Sequence, residues 1–341
     1  MVKTVLFFSL AAVVIALIAW IITVRRGRGW KNRSWELPEL GIQLHDQQVD
    51  RDLRDMIGRL QQVLPEGYSE RVKRRIMENS GIGETEWRNR WFELKRFFVL
   101  TAILRNVPMY SRDVDSVWHE MLLFTRDYER FSRKFLGTYL HHNPHDQPVF
   151  DPGERAWFDW TYTLLFRPTP YSRTAWGPFF RHPMPRGLLR EIETSSENQL
   201  LERYFNRESA RHFEEAERLC RFVIGAFRRA IRDARQYADL YGRDVKTLRS
   251  HMLSRRGRET EPSVWMLGAL AYLSLYHSAD FLAAQKELLR RAADTDSRYV
   301  TPYCASGGVW GGLDSDSGSG DADGGGSCGG AGCGGGGCSG G

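Results

Sequence analysis

Cysteine is scarce in this chain, and most of it lies at one end. Of five Cys in 341 residues, Cys328, Cys333 and Cys338 fall in a glycine-rich C-terminal stretch, leaving only Cys220 and Cys304 elsewhere. An odd number of scattered thiols suits a reducing, cytoplasmic compartment better than a disulfide framework. The tail thiols recur every five residues with no local His, which is not the spacing of a paired zinc motif; a soft metal, a disulfide partner or a modification are the chemistries open to them. There is no phosphate loop, no His-Glu-x-x-His, no dinucleotide fingerprint and no nucleophile elbow, so the enzyme classes that depend on those motifs are excluded. The segment 305–341 has no Lys or Arg, and no aromatic after Trp310. It is therefore not a glycine-rich tail of the RNA-binding kind, and with nothing apolar to bury it is predicted to be disordered.

Long hydrophobic runs are also few. Residues 4–24 form the one stretch long enough to cross the ~30 Å hydrocarbon core as a helix. Lys3 precedes it, whereas Arg25, Arg26, Arg28, Lys31 and Arg33 follow. That asymmetry predicts a short outside N-terminus (1–3), a single transmembrane helix (4–24), a basic juxtamembrane linker (25–44) and a body on the cytoplasmic side, of the inner membrane if the source is bacterial. A cleaved signal would need a shorter apolar core and a small-x-small site, and Trp20, Ile21, Ile22 and the Arg pair supply none. The net charge is +6, and four tail aspartates, Asp314, Asp316, Asp321 and Asp323, mask a more basic body. Its arginines are interleaved with Glu and Asp along helices, so a solvated basic surface beside a membrane accounts for them and nucleic acid is not an expected partner.

With 42% hydrophobic and 12% aromatic residues, the chain between its two ends can bury a sizeable core. Periodicity over 45–300 predicts an all-α domain, an irregular multi-helix bundle. Leu53, Ile57, Leu60 and Val63 mark one helix, and Ser69 begins a shorter one to about Met77. Residues 85–104, rich in aromatics, are predicted to form the central packing helix. In 145–195 seven prolines stand among aromatics, which predicts one short helix around Trp157–Tyr162 inside an ordered wrapping loop. Helices resume over 196–300. Phe213, Ala216, Leu219, Cys220, Val223, Phe227, Ile231 and Ala234 form one stripe of a long amphipathic helix over 205–241. Pro262 opens an almost wholly apolar helix to about Tyr276, too short for a second membrane pass and predicted to be buried.

The densest patterning lies in 113–144. Val114, Val117, Trp118, Met121 and Leu122 form an apolar stripe, with Asp113 the predicted cap. Thr125, also a predicted cap, then leads a second helix through Tyr128, Phe131, Phe135 and Leu136 to Gly137, placed for a left-handed terminus. Asp115 and His119 are one turn apart at the margin of the first stripe, where a carboxylate can fix an imidazole's tautomer. His141, His142 and His145 follow the hairpin. The pattern Val-Asp-x-x-Trp-His, Thr-x-x-Tyr-x-x-Phe, then Gly and His-His-x-Pro resembles the glycine-rich domain-containing protein family of bacteria and plants. It is carried here by Val114, Asp115, Trp118, His119, Thr125, Tyr128, Phe131, Gly137, His141, His142 and Pro144. Ser132 stands where that family's pattern has a cysteine. The resemblance runs from about Trp91 to Pro144, plus the glycine-rich end, and implies no established activity.

Two functions follow from these readings. The first is a membrane-anchored helical binding or scaffold domain without catalysis, whose partner is an unidentified protein and whose motif residues Asp115, Trp118, His119, Tyr128, His141 and His142 serve packing and recognition. The alternative is a divalent-metal site, with His119, His141 and His142 as ligands and Asp115 as ligand or orienter, binding the ion or using it for hydrolysis.

Overall fold

A computed structural model describes residues 33–64, 66–142, 150–255 and 262–289. The run 4–24, Pro144, His145 and the tail with Cys328, Cys333 and Cys338 lie outside the described residues. Among the described residues the fold is all-α, with fourteen α-helices, one 3-10 turn at Pro38–Gly41 and two isolated bridges, Ile42 with Phe166 and Leu104 with Phe205. None of these helices is long and apolar enough to cross a membrane.

The first half holds α1 (Gln47–Val63), α2 (Glu66–Ser80), α3 (Glu84–Ile103), α4 (Arg112–Leu122) and α5 (Thr125–Leu136). Asp46 caps α1 by accepting from the amides of Gln48 and Val49, and Leu53, Met56, Ile57 and Leu60 bury its stripe. Helix α3 is the central packing element: beyond Trp91 nearly every side chain is buried, polar ones included. Ser69 lies inside α2 rather than at its start. Ser111, not Asp113, caps α4, its hydroxyl accepting from Val114 N; Asp113 instead pairs with Arg90 at 3.0 Å. Thr125 is the first residue of α5 and makes no cap bond.

The stretch 145–195 departs most from expectation. Its described part contains three helices, α6 (Pro152–Leu165), α7 (Pro170–Trp176) and α8 (Arg186–Thr194). Pro152 and Pro170 sit at the first helical position, behind Asp151 and Thr169 caps. There the missing N–H costs nothing and the fixed φ suits a helix. The prolines begin helices here rather than interrupt them. Arg155 and Asp159 of α6 secure the following loop. Arg155 donates to the carbonyls of Trp176 and Pro178, while Asp159 accepts from Arg155 and from Phe180 N. Burial raises the Asp159 carboxyl to about 6 against the opposing pull of Arg155, so it stays ionised at neutral pH.

The second half comprises α9 (Glu197–Tyr204), α10 (Arg207–His212), α11 (Glu214–Tyr241), α12 (Val245–Arg255), α13 (Pro262–Tyr276) and α14 (Phe281–Leu289). One helix over 205–241 is not found. The chain is extended at Phe213, because Asn206 caps α10 and Glu214, Glu215 and Glu217 favour a fresh helix start. The stripe from Ala216 to Ala234 is buried as expected. Cys220 donates to Ile103 O, and burial pushes its thiol up to about 12. Helix α13, buried from Met266 to Leu273, packs along α11 as a core helix.

Residues 33–44 are part of the body rather than a linker to it. Leu40 and Ile42 are buried, Gln43 N donates to Leu165 O, and Arg167 N donates to Gly41 O. What fixes this arm is Arg96 on α3, which donates to the carbonyls of Leu40 and Arg167. Its partner Glu93 accepts from Tyr162 Oη at 2.6 Å, Ser172 Oγ at 2.7 Å and Trp176 Nε1 at 2.8 Å. Both side chains are 0% exposed. Removing one member leaves the other charge unpaired in a dry interior, so Glu93→Ala is expected to lower the unfolding free energy by about 3–5 kcal/mol, read from urea denaturation; a change under ~1 kcal/mol would show that the network is dispensable.

Candidate metal centre

Two side chains of the candidate centre come from one face of α4. Asp115 and His119 are one turn apart, and the carboxylate Oδ2 lies 3.7 Å from His119 Nε2. The third comes from the chain that leaves α5. Gly137 ends that helix at φ +78°, reversing the backbone so that 138–142 returns along α4. His142 Nε2 then donates to Asp115 Oδ1 at 2.8 Å. The ligating atoms of Asp115, His119 and His142 all lie within 4.8 Å of one another.

Trp118 and Tyr128 set this return path. Trp118 Nε1 donates to Tyr128 Oη at 2.9 Å, and Tyr128 Oη donates to Leu140 O at 2.7 Å. A buried Trp–Tyr pair joining the two helices thus fixes a backbone carbonyl two residues before His142. The His142 ring also meets the Trp118 ring edge-on at 4.4 Å between centroids. Burial raises the Tyr128 phenol well above its ordinary value, so it remains a donor at any physiological pH. Ser132 is fully buried, one turn along α5 from Tyr128. It lies in the packing layer, not among the ligating atoms.

Of the three histidines expected as ligands, the structure brings together two. His141 is exposed and its ring stands against Tyr139 at 4.8 Å, apart from the cluster. Adjacent residues in an extended segment point to opposite sides, so only one of the pair can face α4. Asp115 takes the third place. A tetrahedral ion with bonds of about 2.0–2.2 Å needs donor atoms roughly 3.4 Å apart. The two separations from Asp115, 2.8 Å to His142 and 3.7 Å to His119, bracket that value. Exposure falls from 53% at His119 through 26% at Asp115 to 9% at His142, so the cluster is shielded on the His142 side and open on the His119 side.

A separate concavity of about 500 Å³ lies between residues 104–108, the start of α6, α8 and the end of α9. Its walls include Trp157 and Tyr204, whose rings meet at a tilt with centroids 5.1 Å apart, with Arg105, Glu154 and Glu191 among its polar groups. Nothing in the sequence pattern marked this cleft, because its residues come from four distant segments. None of the candidate motif residues lines it.

A family model described as UCP032817-like matches residues 59–149, from late α1 to beyond His142, and so contains the whole cluster. No curated protein and no solved structure matches the chain.

The αL turn is a sensitive point. A Cβ at Gly137 would lie 2.5 Å from His212 Nδ1, and that ring is held by its bond to Glu208 O. Gly137→Ala is expected to cost at least about 1 kcal/mol from the left-handed backbone alone, with the collision added. Adding His212→Ala should return only the collision part. Thermal denaturation of the two variants checks this, and equal melting temperatures for Gly137→Ala and the parent would contradict it.

Proposed function

We propose that this chain is a metal-binding helical protein that holds one divalent transition ion between Asp115, His119 and His142. The observation that supports it is the convergence of three ligating atoms from two separate segments, arranged by a buried Trp118–Tyr128–Leu140 linkage. Two imidazoles and one carboxylate suit zinc and its borderline neighbours better than magnesium or calcium, which prefer all-oxygen sets. A three-donor set with an open side belongs to the zinc sites that do chemistry, since structural sites close with four protein ligands. In such a site the ion acidifies a bound water or polarises a substrate oxygen, and hydrolysis is the reaction class this favours. The residues of this chain would hold the ion, and His142 would give up its bond to Asp115 and bind through Nε2 as the neutral Nδ1–H tautomer, the ring proton passing from Nε2 to Nδ1 by way of solvent.

The test is zinc titration of the full-length protein. One ion per chain is expected, with affinity reduced by His142→Ala or Asp115→Ala by more than the ten- to hundred-fold typical of an outer-shell residue. His141→Ala is expected to bind as the parent does. Absence of stoichiometric ion, or equal damage from His141→Ala and His142→Ala, would refute the assignment.

A second reading, a non-catalytic binding or scaffold domain, draws on the aromatic cleft at Trp157 and Tyr204. It is the reading left standing if the chain takes up no ion. Under either, we propose that residues 4–24 tether the body to a membrane with its bulk on the cytoplasmic side, and that the resemblance to the glycine-rich domain-containing family reflects kinship. Reporters fused after Gly341 test the topology: a fusion active only on the cytoplasmic side is expected, and one active only on the far side would reverse it.

A further inference from the structure

We infer that the cleft between α6, α8 and the end of α9 is a site for a small organic amine, a protonated amine on an apolar body that also carries a hydrogen-bond acceptor. The inference is independent of the metal centre. It rests on the binding-domain reading, which draws on this cleft, and names its ligand class. The volume of about 500 Å³ falls within the range of small-molecule sites, and Leu104, Val107, Leu188 and the rings of Trp157 and Tyr204 give it an apolar lining. Trp157 calls for the acceptor. It is 9% exposed, and what it leaves to solvent faces the cleft. The indoles of Trp118 and Trp176 each donate to a buried oxygen. The Trp157 indole N–H has no hydrogen-bond partner among the described residues, yet it is not sealed from solvent. A donor this nearly buried is costly to leave unmade, and an acceptor atom of a ligand in the cleft would satisfy it.

The charges of the lining call for a cation. Both of its arginines are engaged, Arg105 with the carbonyl of Glu202 and Arg203 with Glu191 at 2.9 Å. Glu191 also accepts from Tyr204 Oη at 2.8 Å, which fixes the ring that stands against Trp157. Glu154 is different: it is exposed, its carboxylate accepts only a long bond from Asn106 Nδ2 at 3.4 Å, and it has no ion-pair partner among the described residues. Asp151 has none either, its Oδ1 being turned to the amides of Gly153 and Glu154. Because that cap already occupies the start of α6, the helix end is closed to an anion. Glu154 and Trp157 both line the cleft and are one turn apart on α6, and long helical side chains lean toward the N-terminus, so the indole lies toward Glu154. An amine held by Glu154 is thereby placed beside an aromatic pair, whose ring faces attract a cation.

The experiment is calorimetric titration of the full-length protein with matched probes. Tyramine carries the amine and an acceptor hydroxyl, tyrosol keeps the acceptor but is neutral, phenethylamine keeps the amine without the acceptor, and hydroxyphenylpropionate replaces the amine by a carboxylate. Tyramine is expected to bind at least about ten-fold more tightly than tyrosol, the worth of one charge-assisted hydrogen bond, and the carboxylate more weakly still. Glu154→Gln, a change at an exposed position, should remove most of the preference for tyramine over tyrosol. Trp157→Phe should weaken tyramine more than phenethylamine, and because this ratio compares two ligands on one variant it stands apart from any loss of stability. Tyrosol or the carboxylate binding as tightly as tyramine, or an unchanged preference in Glu154→Gln, overturns the inference and leaves the cleft as a site for another ligand class. Failure of all the probes to bind the parent removes the cleft reading, and this inference with it.

Discussion

Glu93 and Arg96 form an ion pair with no access to water, and most of the architecture is arranged to make that tolerable. Taking two charges into a dry interior costs several kcal/mol each unless every donor and lone pair finds a partner. Here Tyr162 on α6, Ser172 and Trp176 on α7, the carbonyl of Leu40 on the N-terminal arm and the carbonyl of Arg167 supply the partners. Because those groups come from four segments, satisfying the pair and assembling the fold are one event. The same helix α3 presents Phe97 and Phe98 to Trp118. Phe97 also stacks on Trp176, a partner of Glu93, so the buried charges and the candidate centre adjoin along a single helix.

The Arg155–Asp159 pair repeats this logic on a smaller scale. It sits on α6, next to the Tyr162 that serves Glu93, and ties down the loop through Phe180, which adopts a positive φ of 60°. A non-glycine residue in that region is unfavourable by itself and persists because the amide of Phe180 is claimed by a buried carboxylate. Polar groups thus specify the path of the chain between helices, while the apolar stripes of α1, α3 and α11 supply the bulk of the burial.

The helices with one dominant apolar stripe were legible in the sequence. The stripes from Leu53 to Leu60 and from Ala216 to Ala234 predicted which faces would be buried, and Gly137 predicted its own left-handed turn. The polar hub was not legible. A Glu and an Arg three residues apart look like an ordinary surface pair, and only their tertiary partners make them otherwise. Prolines misled where they begin helices, as at Pro152 and Pro170, because the same residue marks both a start and a break. The arm at 33–44 read as linker since its burial is secured through backbone carbonyls, which carry no side-chain signature. In the candidate centre, Asp115 and His119 followed from helical spacing. The choice between His141 and His142 did not, since it depends on the register of a short extended segment pinned by Tyr128 at Leu140.

A packed all-α body carries the Asp115–His119–His142 cluster at its surface, and the Trp118–Tyr128 linkage is what joins the two. Buried hydrogen bonds from Trp118 and Tyr128, with the ring of Trp118, position the His142 segment without an ion, the pre-organisation that the proposed binding would draw on. The most direct test is a crystal of the zinc-soaked protein with anomalous diffraction collected above and below the zinc edge. The account predicts one strong peak within about 2.0–2.2 Å of Asp115 Oδ, His119 Nε2 and His142 Nε2. A zinc-soaked crystal with no peak there, or with the ion held by His141 instead, would contradict it.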